Sequence, residues 1–408
     1  MQSLKFFIFL SLLYLISPLA CLVVCLAFYK NTISHIFFVF FAFYFGYYYP
    51  FDFDLNNHYN DFLNFVGRSL KAIYANPDVY RYGTEPYHII LKYVLSRFSD
   101  SPNYFGGCVC AIYTALFVFF FRQFKAYYSH KQTFLNISLL LVVVLTVEFR
   151  WFQGVRFWPG IFYFAGFYLK YINTNNKLYL LLASFCPLFH MTLFTLDAVV
   201  ILDYLLSKMP NFFRWVLFML SIFVRSLNID FVPFLLRLEF LHDYLKLAII
   251  NSEIRANDLM RIEEFRANAN IYYTMRPYLG IVIGIIVLIS FYRLKALTSS
   301  VHMKVLTFAF TLFTVANFGY GDIMFYERFT KCAILMFFAY LYIVSVTQSM
   351  IVKRSSLILA ILTCVVAFYF ALTVLVEQRN YLFSATLIFG NFLNYGRDIM
   401  MMKSNWIR

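Results

Sequence analysis

The sequence predicts an all-α fold: a polytopic bundle of about eleven to thirteen transmembrane helices forming one membrane domain over residues 1–408. Three observations predict it. Of the 408 residues, 62% are hydrophobic and only 13% are charged, about half the usual share for a soluble domain. Apolar runs near membrane-spanning length recur along the whole chain. None of them alternates with period two, and lipid admits only backbone that is satisfied internally, so the runs are expected to be helices. The same composition excludes a disordered chain, a fibre and a disulfide-rich secreted scaffold.

The expected spans lie near 6–28, 33–49, 105–121, 134–149, 157–171, 178–202, 212–224, 278–292, 305–318, 332–350 and 356–376. Each approaches the roughly 20 residues that cover about 30 Å of hydrocarbon. Segments 229–250 and 381–395 are further candidates, as spans or interfacial helices. The first run is too long for a signal-peptide core and lacks a small-residue cleavage site, so it is expected to remain as the first membrane helix. Tyr clusters such as Tyr47–Tyr49, Tyr127–Tyr128 and Tyr272–Tyr273 mark membrane–water interfaces. All seven Cys lie in apolar runs and read as small hydrophobes.

Lys and Arg exceed Asp and Glu by 34 to 20, a formal charge of +14. The excess is spread over loops, which fits lipid headgroups and membrane orientation and not nucleic acid. Basic, acid-free loops at 122–133 and 170–177, with 293–304 and Lys353-Arg354, are expected in the cytoplasm. That puts the N-terminus, 50–104, 150–156 and 319–331 outside, provided the region around 229–250 makes one extra crossing.

Segment 50–104 is the first long polar stretch, with six acids. Apolar residues at 87, 90, 91, 94, 95 and 98 predict a helix lying along the membrane surface, with Thr84 as cap and Pro86 in its first turn. Glu85 stands at its start, where the helix dipole favours an anion, so its simplest role is capping. Upstream, Asp52, Asp54, His58 and Tyr59 follow directly on a span. Their carboxylates and imidazole suit proton abstraction from a sugar hydroxyl, or equally turn and helix-end hydrogen bonds.

Arg150 and Arg156 flank Gly154 at the next membrane edge, near Glu148. An Arg buried in a bilayer costs about 2.5–3.5 kcal/mol on insertion scales, which snorkelling reduces. Arg156 leads straight into an apolar helix and is expected to face the protein interior or a wet cavity. Its planar fork suits phosphate. His190 lies within an apolar run that Pro187 should kink, either bonded to a freed carbonyl or lining a cleft. At 319–331, Tyr326, Glu327 and Arg328 sit at another span boundary, and Arg328 is a candidate third cation. The long polar loop 225–277 mixes charges at helical spacing, as solvated or lid helices would. No phosphate-binding Gly loop, HExxH, GxSxG or tandem zinc pattern occurs, so neither metal nor cofactor is expected.

The acidic cluster ending in His58-Tyr59, the Thr84-Glu85-Pro86-Tyr87 helix, Arg150 through Arg156, and Phe189-His190-Met191-Thr192 follow one another over about 40–200. In that order they resemble the EpsG-like, Wzy-type bacterial polysaccharide (O-antigen) polymerases; the later half matches in general character, with Glu327-Arg328-Phe329. Pro159 departs from the pattern, standing where small residues are usual. The resemblance implies a GT-C-like, multi-pass glycosyltransferase of the bacterial inner membrane. Such an enzyme joins oligosaccharide units carried on undecaprenyl pyrophosphate, in some cases beside a chain-length regulator. On this reading Arg150, Arg156 and Arg328 hold the pyrophosphate. Asp52, Asp54, His58, Glu85 or His190 orients or deprotonates the acceptor, and Tyr59 and Tyr326 contact substrate. An O-antigen ligase would share the bundle and the Arg logic. A flippase or transporter of the lipid-linked unit should show internal repeats, and none is evident.

Overall fold

The computed structural model describes residues 2–48, 53–74, 85–127, 134–145, 154–226, 300–320 and 323–347. All regular structure among them is helical. Two helical stretches, Pro102–Lys125 and Phe325–Val346, are long and apolar enough by length and composition to cross a membrane. Shorter apolar helices run Ser3–Ile16, Pro18–Ala27, Thr32–Tyr48, Lys177–Leu188 and Met303–Phe318. The expectation of eleven to thirteen spanning helices therefore meets two of spanning length among the described residues. Segments 229–250, 278–292, 356–376 and 381–395 and most of the 225–277 loop lie outside the described residues.

Two of the expected spans are interrupted, each beside a proline. The run 6–28 forms α1 (Gln2–Ile16) and α2 (Pro18–Ala27). Ser17 adopts an extended conformation before Pro18, and its hydroxyl accepts from the Ala20 N–H at 3.2 Å. Proline disfavours α backbone in the residue before it, so the break falls there.

Contacts divide the chain into two compact units, one of residues 1–129, 148–194 and 374–408, the other of 130–147 and 195–373. In the first, α1 and α2 pack on α3 (Thr32–Tyr48) through Leu10, Cys21, Cys25 and Phe37. Helix α3 crosses α7 (Pro102–Phe121) closely. A Cβ added at Gly46 would lie 2.5 Å from the Gly106 carbonyl oxygen, so the crossing depends on residues without side chains.

Between α3 and α7 come α4 (Phe53–Leu63), α5 (Leu70–Tyr74) and α6 (Pro86–Leu95). Helices α4 and α6 are joined by a ladder of polar pairs. His58 Nδ1 and His88 Nε2 are 3.0 Å apart, and Lys92 Nζ donates to Asp61 Oδ2 at 2.8 Å. One turn on, the Ser96 hydroxyl and Arg97 Nη2 reach the Phe65 carbonyl at 3.3 and 2.6 Å. Leu55, Phe62, Leu91, Leu95, Phe105 and Val109 form the apolar core beside the ladder.

Helix α6 appears where the apolar spacing places it, but its stripe divides. Leu91 and Leu95 are buried, whereas Ile90 is 60% and Phe98 73% exposed. The groups inside are polar: Glu85, His88 and Lys92 are all nearly sealed. Spacing at i, i+3 and i+7 puts these three on one face. His88 and Lys92 find polar partners on α4, in His58 and Asp61, which offset the cost of burial.

In the second unit, α14 (Ile323–Thr347) is buried over most of its length and packs on α13 (Ser300–Phe318) and α8 (Phe134–Leu145). Helix α12 (Asn211–Ser226) follows α11 (Phe194–Ser207) and packs on α13.

Candidate functional site

Three segments of the first unit meet at the carboxylate of Glu85. The first is the start of α6. Pro86 holds Glu85 in extended backbone at φ −85° and ψ 116°. Its carbonyl accepts from the N–H groups of His88 and Ile89 and so begins the helix. Its side chain makes no cap hydrogen bond. The expected capping role is thus not taken, because the carboxylate turns to partners elsewhere.

The second segment is Arg156, just before α9 (Phe157–Thr174). Its carbonyl accepts from the Gly160 N–H at 3.1 Å, and Phe157 and Trp158 are buried after it. Arg156 Nη1 donates to Glu85 Oε2 at 2.5 Å, across 71 residues of sequence. The two side chains are 16% and 7% exposed, so water screens the pair little.

The third segment is 186–193. The sequence places His190 inside a helix; the structure does not. Helix α10 (Lys177–Ala183) stops, and short 3-10 turns run Cys186–Leu188 and Met191–Leu193. His190 is extended between them, at φ −158° and ψ 126°. Pro187 removes a backbone donor and crowds the preceding turn. His190 Nδ1 then accepts from the Thr192 N–H at 3.3 Å, stabilising the non-helical turn. The turn aims the Met191 N–H at Glu85 Oε1, 3.4 Å away, and sets His190 Nδ1 4.0 Å from the same oxygen. Since Nδ1 already accepts from Thr192, a neutral His190 carries its proton on Nε2 and lines the site without bonding the carboxylate.

The turn is seated on α9. A Cβ at Gly160 would lie 2.3 Å from Leu193 Cδ1 and 2.8 Å from Phe189 Cβ, so only glycine allows this approach. The close contact thus falls at Gly160, next to Pro159. Phe189 packs against Tyr87 and Tyr163 with tilted rings, at centroid distances of 4.3 and 5.1 Å. Phe157 meets the His190 ring edge-on.

His58 and His88 extend the polar interior from this point. Burial pushes His88 well below the ordinary histidine range, and the charges of Lys92 and Arg156 push it the same way. A neutral His88 can serve His58 as donor or acceptor across their 3.0 Å contact.

Of the residues singled out from the sequence, Glu85, Arg156 and His190 come together, and His58 joins through His88. Asp54 lies in the first turn of α4, and the Tyr59 hydroxyl donates to the Asp100 carbonyl at 3.0 Å. Tyr326 and Arg328 belong to α14 in the second unit. The ring of Tyr326 lies beneath the Arg225 guanidinium, 4.7 Å from its carbon to the ring centroid. The buried Tyr326 hydroxyl has no hydrogen-bond partner among the described residues. Asp52 and Arg150 lie outside the described residues. No group of three or more potential metal ligands occurs among the described residues.

Sequence reasoning missed His88, the Lys92–Asp61 pair and the Met191 N–H. A signal for the first two existed: Glu85, His88 and Lys92 form a polar stripe at helical spacing on an otherwise apolar helix. Comparison with known proteins adds nothing here, since no family model, curated protein or solved structure matches the chain.

Proposed function

We propose that the chain is a multi-pass membrane glycosyltransferase that joins oligosaccharide units carried on undecaprenyl pyrophosphate at the outer face of the bacterial inner membrane. The observation that carries the reading is the convergence of Glu85, Arg156 and the His190–Met191 turn. Three segments were singled out separately for their chemistry, and they meet at one carboxylate. The exposed apolar side of α6, with Ile90, Val94 and Phe98, suits an acyl–headgroup boundary, and α7 begins only a few residues later.

The reaction asks for two things. The acceptor hydroxyl attacks the anomeric carbon of the donor sugar as its bond to the pyrophosphate oxygen breaks. The bonding electron pair leaves with the pyrophosphate, and the hydroxyl proton must go to a base. Arg156 supplies the cation for the departing diphosphate, the larger electrostatic demand. Glu85 stands beside it as the candidate base, and His190 lines the same site. Tyr87, Tyr163 and Phe189, which are half-buried, supply aromatic surface for sugar rings. Membrane lipids and the lipid-linked units are the partners on this reading, with a chain-length regulator as a further one.

The test is genetic. Deleting the gene from its host should leave lipid A capped with single repeat units, and Arg156→Ala should reproduce that phenotype at normal protein level. Full-length polymer stranded on its lipid carrier would make the protein a ligase. Units trapped on the cytoplasmic face would make it a flippase.

A further inference from the structure

The donors around Glu85 are those of an anion site. A guanidinium from Arg156 and a main-chain N–H from the Met191 turn come from two segments and point at one carboxylate. That carboxylate is brought in from a third segment, and its own helix makes no use of it. Glu85 thus fills, from within the protein, a seat built for a negative group.

We propose that Glu85 is a resident placeholder: the donor's diphosphate displaces it from Arg156 and the Met191 N–H, and the displaced carboxylate then takes the acceptor hydroxyl proton. The inference rests on the glycosyl-transfer reading above and goes further in giving one residue two successive roles. The exchange conserves charge pairing. A diphosphate carries more negative charge than a carboxylate and offers the guanidinium two oxygens at matching spacing. The Met191 N–H gains an equivalent acceptor. Until substrate arrives, the cation is neutralised and the base is held by hydrogen bonds, so the resting site is closed to stray proton transfer. In the transfer step, the sugar C–O bond to diphosphate breaks and the new glycosidic C–O bond forms. The electron pair stays on the diphosphate held by Arg156, and the proton goes to a Glu85 oxygen.

A placeholder makes a prediction opposite to that for an ordinary binding residue: removing its charge should strengthen binding. The full chain in lipid nanodiscs is titrated with inorganic pyrophosphate by calorimetry. Glu85→Gln should bind at least tenfold more tightly than the wild type and polymerise a defined lipid-linked unit at least 100-fold more slowly. Equal or weaker binding by Glu85→Gln would overturn the exchange. Arg156→Ala separates the two levels of the argument. Loss of pyrophosphate binding in that variant supports the diphosphate reading even where the exchange fails. Binding as tight as the wild type would overturn the diphosphate reading itself. A wild-type measurement covers the case in which Glu85→Gln does not fold. Solid-state NMR coupling between the Glu85 carboxyl carbon and the Arg156 guanidinium nitrogens should disappear on saturation with pyrophosphate. Coupling that persists would exclude displacement.

Discussion

Among the described residues, each unit holds an Arg buried against a carboxylate, and the two pairs are built differently. In the second unit Arg214 Nη1 donates to Asp203 Oδ1, and Nη2 to the Asp203 carbonyl at 3.0 Å. The Thr307 hydroxyl donates to the other carboxylate oxygen at 3.0 Å, and Thr311 bridges guanidinium and carboxylate at 3.2 and 3.0 Å. Partners lie on both sides of a chain reversal between α11 and α12, with α13 closing the network. Both carboxylate oxygens are satisfied by side chains, and Arg214 is only 3% exposed. The Glu85–Arg156 pair has a main-chain N–H and a nearby imidazole in place of the two hydroxyls. The lesson is that burial of a charge pair does not by itself mark function. The Asp203 pair is locked by further side chains, whereas the Glu85 pair is seated on a guanidinium and a backbone N–H, the arrangement the proposed exchange requires.

The largest effect should come from breaking the Asp203–Arg214 pair. Arg214→Ala leaves the Asp203 carboxylate buried without its cation and should cost about 3–5 kcal/mol, read by denaturant unfolding in detergent. Replacing both partners by Asp203→Asn and Arg214→Met should cost less than the single change, and pyrophosphate affinity should hold in both. An affinity change instead would erase the contrast between the two pairs.

A smaller effect should come from the seat of the Met191 turn. Gly160→Ala forces Leu193 and Phe189 to move, an overpacking of about 1–3 kcal/mol. It should weaken pyrophosphate binding by displacing the Met191 N–H while leaving the second unit's stability unchanged. Equal binding by this variant would show that the N–H contributes little to the seat.

The smallest effect should be a pH dependence confined to the first unit. His88 is held neutral in the fold, below its ordinary range, so the unfolded chain binds more protons in mildly acid solution. Its contribution is fully present above the unfolded value of about 6.5 and is lost as pH falls below it. Denaturation midpoints between pH 7.5 and 5.5 should drop for the wild type and drop less for His88→Gln. Parallel curves would mean that the His58–His88 pair is not the titrating element.

Much of the fold was legible because composition and periodicity are local. The helices at 32–48, 102–121, 157–174 and 211–226 fall where apolar runs put them, whereas the helix at 323–347 begins well before the expected span 332–350 and takes in Tyr326, Glu327 and Arg328, which were expected at its boundary. Pro187 gave notice of a disturbance, although the sequence reading kept His190 within a kinked helix. The outcome was an extended residue between two turns, because the His190 side chain rewards the non-helical backbone by bonding the Thr192 N–H. On α6 the period was right and the direction incomplete. Spacing says which residues share a face, and it is silent on whether protein or lipid covers that face.

By itself, the sequence determined that this is a helical, strongly apolar chain whose scarce polar residues sit at the ends of apolar runs. It also identified Glu85, Arg156 and His190 as groups with chemistry to offer. Only the tertiary structure decided that Glu85 leaves its own helix for Arg156, that Asp203 and Arg214 are locked by threonines, and that His58 finds His88. Helical pattern is set within a few turns of chain, while a charge pair across 71 residues depends on where packing brings two backbones together.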